Sequence, residues 1–371
     1  MVRQFVLLLV VLAVTGLCAK IGYTERSRKI CVQIVTVILT LFSGLRSWWF
    51  GDLIKYYTLY CNCNGENWRS YVFGSLNNSG IRILFRLCGV LHISYDVCIF
   101  LVAAFVAVTL GLLVFRYSPS PYWSYLIYIG MGFYIFTYTG LKQTIAMGFC
   151  CLAMDALLRG KPGKFALWVL AGALFHAPGL IFLLAYPFSR KKIDPYYFFF
   201  ILLCLGAVFL FRDQIVSFLS EAYYEDEDIY EAKGLVGGRF LMMLAILVLS
   251  LFLRPLHNDD TRYTYLFNTM VIAALLQTFS VYNNNFTRLA DYYYQFSMLF
   301  IPMMLESGWS QAKADPKRRN ILCYDSTTYH LLWLGITVFA LWFYSRQIAP
   351  GNVVDGFRFF WEVDPYALYG T

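Results

Sequence analysis

Charge is scarce in this sequence. Lys, Arg, Asp and Glu make up only 14% of its 371 residues, and there are four histidines. An ordinary soluble domain carries about 25% charged residues, so this chain cannot build the usual water-facing surface. No polar stretch is long enough to form a separate soluble domain. No GxGxxG, P-loop, HExxH or GxSxG motif is present, which leaves nucleotide, zinc-protease and serine-hydrolase readings without support. The ten cysteines lack zinc or redox spacing. Most of them (Cys18, Cys31, Cys150, Cys151, Cys204) fall in apolar runs, where a thiol acts as a small hydrophobe. Cys61 and Cys63 lie in a polar loop, too close together for an easy disulfide. No internal repeat and no low-complexity segment is evident.

Apolar residues are abundant instead. The chain is 59% hydrophobic, with a mean hydropathy of +0.57. Such a composition means an all-α polytopic integral membrane protein, read as a single membrane domain over 1–371. The net charge of +8 is then a matter of topology, not a nucleic-acid footprint, and no nucleic acid is expected as a partner. Ten runs are long enough to span a bilayer, or nearly so: 4–22, 30–45, 95–115, 122–139, 141–158, 196–211, 239–253, 263–282, 288–305 and 328–347. The first continues into further spans without a persuasive cleavage site, so it reads as a helix and not a signal peptide. Residues 81–92 place Arg82 and Arg86 one turn apart beside Leu and Phe, the pattern of an amphipathic helix lying in the membrane interface.

Lys and Arg in short loops set the orientation. The loops at 20–29, 116–121, 159–164, 190–194, 254–262 and 307–325 hold more than half of the 30 basic residues, so they are assigned to the cytoplasm. Both termini then face outward, as do the loops 44–94 and 212–238 and the aromatic tail 348–371. The acidic run Glu225–Asp228 reads as a solvated stretch. Lys164 and Arg190 both become cytoplasmic, although mostly apolar chain separates them. A re-entrant hairpin satisfies that parity, rising over 165–175, turning at His176–Gly179 and descending over 180–188.

Polar residues in or beside the runs are the candidates for chemistry, because intramembrane ionisable groups are costly, by about 2.5–3.5 kcal/mol on insertion scales. His176 stands in a long apolar run, followed by Ala-Pro-Gly, which can break a helix. Lys142 and Gln143 open the 141–158 helix. FSGLRSWWFGDLIKYYTLY (42–60) brings Arg46 and Asp52 among Trp48, Trp49, Tyr56 and Tyr57. Aromatic rings there form an interfacial belt or stack on sugar faces. Arg46 either pairs with Asp52 or holds a phosphate with both arms of its guanidinium. VYNNNFTRLADYYYQFSML (281–299) carries Asn285, Arg288, Asp291 and Tyr292 at a helix start, an arrangement that suits an anion. In the assigned topology all these groups face outward, and Arg46, Lys142 and Arg288 are expected to share one cavity. They suit a ligand with a membrane-embedded tail, a pyrophosphate head and a sugar. His92, His257 and His330 read as structural or solvated.

The order GLR…GD…YY, a GLKQ helix start, LFH in an apolar segment, and N…R…YYY resembles the EpsG family of bacterial exopolysaccharide membrane proteins, which are similar to Wzy-type polymerases. The likeness covers about 40–305. Lys142-Gln143 stands where the family usually has Arg-Gln. Gly51 and Asp52 are adjacent where a spacer is common, and Ala177-Pro178 replaces residues that are often polar. The resemblance implies a polymerase of undecaprenyl-diphosphate-linked oligosaccharide repeat units at the outer face of the bacterial inner membrane. The growing polysaccharide is its other substrate, and a chain-length regulator and a flippase are its companions. No cofactor and no metal are implied. His176 or Asp52 would serve as base, Arg46, Lys142 and Arg288 as diphosphate clamps, and Gln143, Asn285, Tyr292, Trp48 and Tyr56 as further substrate contacts. The rival classes are a transporter or flippase of an anionic lipid-linked glycan, and a ligase or single-addition glycosyltransferase.

Overall fold

Helix boundaries follow local chemistry. Ser94 accepts a hydrogen bond from the Val97 amide and Thr24 from the Ser27 amide, so each starts a long apolar helix with a side-chain cap. In the computed structural model the described residues are 2–49, 51–65, 67–73, 79–223, 234, 236–253, 261–282, 284–314, 324–352, 354 and 356–363. His257, the acidic run Glu225–Asp228 and the end of the aromatic tail lie outside them. Among the described residues seven helices are long and apolar enough to cross a membrane, and three shorter apolar helices accompany them. The fold is all-α, as the composition requires.

The chain divides into two compact units, 1–180 with 332–371, and 181–331. The first unit contains α1 (Val2–Ile21), α2 (Glu25–Gly44), α3 (Leu53–Cys61), α4 (Trp68–Phe73), α5 (Ser79–Val90), α6 (Tyr95–Tyr117), α7 (Pro121–Gly130), α8 (Phe133–Phe136), α9 (Leu141–Leu158) and α10 (Pro162–Phe175). Within it α2 packs on α6, α6 on α9, and α9 on α10. A 3-10 segment, Ala177–Leu184, crosses the boundary. The second unit holds α11 (Ala185–Ser189), α12 (Pro195–Tyr223), α13 (Gly238–Leu253), α14 (Thr261–Gln277), α15 (Asn284–Tyr294) and α16 (Ser297–Ala314). There α14 is central and touches α11, α12, α13, α15 and α16. Most of α17 (Ser326–Gln347) returns to the first unit. The spans in α12 and α17 are apolar yet exposed over nearly their whole length, a surface that suits lipid better than water.

Two expected spans are broken. The run 122–139 splits into α7 and α8 at Met131–Gly132, glycine being a poor helix former. The run 288–305 splits between α15 and α16 at Gln295–Phe296. Gln295 is buried there, and its Nε2 donates to the Tyr292 carbonyl at 3.3 Å, satisfying backbone that the break frees. The third break is the expected one: α10 ends at His176, whose backbone is extended.

The amphipathic pattern of 81–92 forms α5, and protein covers its apolar stripe. Ile81, Phe85 and Cys88 are buried in a cluster with Leu53, Tyr71 and Tyr95. Arg82 donates to the Tyr71 carbonyl at 2.6 Å, and Arg86 donates to the Cys63 carbonyl. Beside Gly80, α5 meets α10 backbone to backbone. A Cβ at that position would lie 2.5 Å from the Leu174 carbonyl oxygen. The contact fixes the end of α10 just before His176.

Candidate active site

One cluster of the first unit gathers chain neighbours of most candidate residues. Leu53, Leu141 and Ile145 are buried in it, and Trp48, Tyr56, Tyr57 and Phe175 pack against it. Leu53 follows Asp52, Leu141 precedes Lys142, and Phe175 precedes His176. The start of α3, the start of α9 and the end of α10 therefore each border this cluster. Lys142 and His176 are half-buried and Asp52 is exposed, so these side chains sit at the rim of the apolar cluster. Trp48 stacks on Tyr57 with ring centroids 3.8 Å apart, and meets Tyr95 edge-on at 6.1 Å. Half-buried Trp48 and Tyr56 line the same place. Gln143 is buried, turned inward from Lys142.

A tight turn positions Asp52. Gly51 has φ +54°, and a Cβ on it would stand 3.0 Å from Thr139 Cγ2. The turn is thus pressed against the segment that leads into α9, and the Asp52 carboxylate acts electrostatically on Lys142. Gly51→Ala would put a Cβ into the left-handed region, costing about 1–2 kcal/mol, and would press on Thr139. It is expected to lower the melting temperature of the purified protein and to reduce activity. Gly51→Asn should do less harm, since Asn tolerates that region. Equal damage from both would mean that space, not backbone conformation, governs the turn.

Arg46 and Asp52 do not form the ion pair considered above. Asp52 pairs with Lys55 at 3.6 Å across an exposed turn. Arg46 is 3% exposed; it donates to the Ser43 carbonyl and, through Nη2 at 3.3 Å, to the Thr137 carbonyl. Its guanidinium fork therefore joins the end of α2 to the segment that precedes Lys142. Burial brings the guanidinium down to about 10, so it stays charged at neutral pH. A cavity of about 10 Å³ lies beside it, lined by Ser43, Tyr134, Thr137 and Thr144 among others. That is the space of one water, too small for a sugar. Arg46→Ala would strip donors from two buried carbonyls, at about 1–3 kcal/mol for each group left unsatisfied. It is expected to lower both thermal stability and membrane level. Arg46→Lys should not restore them, because an ammonium lacks the planar fork. Wild-type stability in Arg46→Ala would contradict this bridging role.

The second unit carries the remaining candidates. Asp291 is buried and pairs with Arg239 at 3.0 Å; exposed Arg288 acts on the same carboxylate. Tyr292 is fully buried, so its ring is a packing element and offers no face for sugar stacking. Asn285 lies in the first turn of α15, and its side chain is outside the described residues. The sequence reading missed Arg239, which sits at the edge of an apolar run 52 residues from its partner. It also missed the chain that covers Arg46: Ser47 N–H donates to the Arg358 carbonyl at 2.8 Å and Phe360 N–H to the Leu45 carbonyl at 3.0 Å. None of the nine cysteines among the described residues forms a disulfide, Cys61 and Cys63 included. No cluster of three or more metal-ligating side chains occurs among the described residues.

Together these features define an all-helical polytopic membrane protein. The chain belongs to the EpsG family, whose model matches residues 29–347. This is a family of Wzy-type polysaccharide polymerase-like proteins, so the chain is a membrane protein of polysaccharide biosynthesis. Comparisons with curated proteins and with solved structures find no match.

Proposed function

We propose that this protein polymerises lipid-linked oligosaccharide repeat units at the outer face of the bacterial inner membrane. The carrier is undecaprenyl diphosphate, and the product is a capsular, O-antigen or exopolysaccharide chain. The observation that carries the reading is that Leu53, Leu141 and Phe175, the chain neighbours of Asp52, Lys142 and His176, share one aromatic cluster. A carboxylate, an ammonium and an imidazole beside Trp48, Tyr56 and Tyr57 offer a base, a cation for phosphate and ring faces for sugar.

The reaction uses these groups directly. A hydroxyl oxygen of one unit attacks the anomeric carbon of the growing chain. The bond from that carbon to the diphosphate oxygen breaks, and the lipid diphosphate leaves with the electron pair. The hydroxyl proton passes to His176 or Asp52. Lys142 faces the charge that develops on the leaving diphosphate, and in a site poor in water that attraction is strong. The bond that breaks is already activated, so no nucleotide is needed. Arg46 works from behind, holding the segment that ends in Lys142.

Product length tests the reading. Purified protein given a lipid-linked repeat unit should yield a ladder of chain lengths. A single added unit would make it a ligase or single-addition transferase. Movement of the substrate across the bilayer without a new glycosidic bond would make it a transporter.

A further inference from the structure

The last described residues of the chain form a strap over the site's support. Phe359 bridges Arg46 in antiparallel fashion, through the two backbone hydrogen bonds that link Leu45 and Ser47 to 358–360. Phe357 is buried, stacks on Phe42 of α2 at 5.2 Å and meets Tyr138 at 5.0 Å. Tyr138 directly follows Thr137, whose carbonyl Arg46 holds. Phe359 adds an edge-on contact to Phe42 at 5.5 Å. The end of the strap is locked twice. Glu362 accepts from the Phe359 amide at 2.9 Å and receives both Nη groups of Arg3. The strap thus grips 45–47, which carries Arg46, and Tyr138, beside the carbonyl that Arg46 holds. One continues into Gly51-Asp52 and the other into Lys142.

We propose that the strap 357–362 is a positioning element of the active site, and that the hydrogen bond from the Phe360 amide to the Leu45 carbonyl acts on Lys142 through Arg46, which holds the Thr137 carbonyl. The inference rests on the role given to Lys142 above. A strap of this kind explains why aromatic residues and an acidic lock stand so far along the chain from the site they serve. It also assigns a backbone group, not a side chain, as the element that matters at position 360, where the ring is exposed.

The test removes that one hydrogen bond. Phe360→Pro lacks the amide hydrogen and sets its ring Cδ against the Leu45 carbonyl, so it releases the strap there, while the backbone at position 360 itself suits proline. It is the first residue of a short 3-10 helix, and Phe359 before it is extended, as a residue preceding proline prefers. Phe360→Ala keeps the amide and loses the ring. Rates are read on purified, monodisperse protein with a lipid-linked repeat unit, so membrane level does not enter. Phe360→Pro should slow polymerisation by about tenfold or more, with KM little changed, because a small displacement of a reacting group is costly. Phe360→Ala should stay within about twofold, and in a Lys142→Ala background Phe360→Pro should add almost nothing, as expected of coupled sites.

Three results would overturn the proposal: a normal rate in Phe360→Pro, an equal loss in Phe360→Ala, or a full multiplicative loss on top of Lys142→Ala. Should Phe360→Pro not accumulate, Glu362→Gln takes its place, since it releases only the strap's end from Arg3; the same pattern is expected. A normal rate in Lys142→Ala would end the functional reading and the strap with it. An inactive Lys142→Ala beside a normal Phe360→Pro would end the strap alone.

Discussion

Lys142→Ala should reduce polymerisation by about 10²–10³-fold, the loss typical of one preorganised group that stabilises developing charge. Lys142 opens α9, half-buried, next to buried Leu141 and within the electrostatic reach of Asp52. Those surroundings hold the ammonium at the rim instead of letting it wander in solvent. Lys142→Arg should retain far more activity than Lys142→Ala. It keeps the charge and matches the residue that the family usually carries there. Membrane levels of both variants should stay near wild type, since the side chain is only half-buried, whereas Arg46 is buried. Chain ladders from cells, normalised to protein in the membrane, decide the matter. Equal activity in Lys142→Ala and wild type would remove Lys142 from the site.

His176→Gln should cost about 10²–10⁴-fold, the contribution usual for a positioned general base. Imidazole is the side chain best matched to proton transfer near neutral pH. α10 stops at His176, the backbone turns extended, and the packing of Gly80 against Leu174 and Phe175 holds the preceding turn in place. Asp52→Asn should lose less, because the carboxylate is exposed and engaged with Lys55. Its main service is to Lys142. Glutamine retains hydrogen-bonding capacity, so His176→Gln separates proton transfer from capping of the broken helix. If both variants made normal ladders at normal membrane levels, neither group would be the base. If only Asp52→Asn failed, the two roles would be exchanged.

Much of the fold could be read locally. The helix 141–158 has the bounds that its hydrophobic run suggested, and capped starts at Thr24 and Ser94 mark two more. The break at His176 was visible in Ala-Pro-Gly. Other features depend on contacts far apart in sequence. Gln295 repairs a broken span only because it is buried, which no local pattern reveals. Arg46 looked like a phosphate clamp or a partner for Asp52, and it proved to hold a carbonyl 91 residues away. Tyr292 was expected among the substrate contacts, yet packing buries it completely. The lesson is physical. A side chain's chemistry is legible from its type, whereas what satisfies it depends on which backbone the fold brings beside it.

One experiment bears most directly on the claim that the first unit houses a polymerising site. Purified protein in lipid is given a single synthetic lipid-diphosphate-linked repeat unit, without nucleotide, and products are separated by length. The native protein should give a ladder, and Lys142→Ala and His176→Gln, both folded and monodisperse, should lose it almost completely. A ladder undiminished in both variants, or no chain longer than one added unit from the native protein, would contradict the claim.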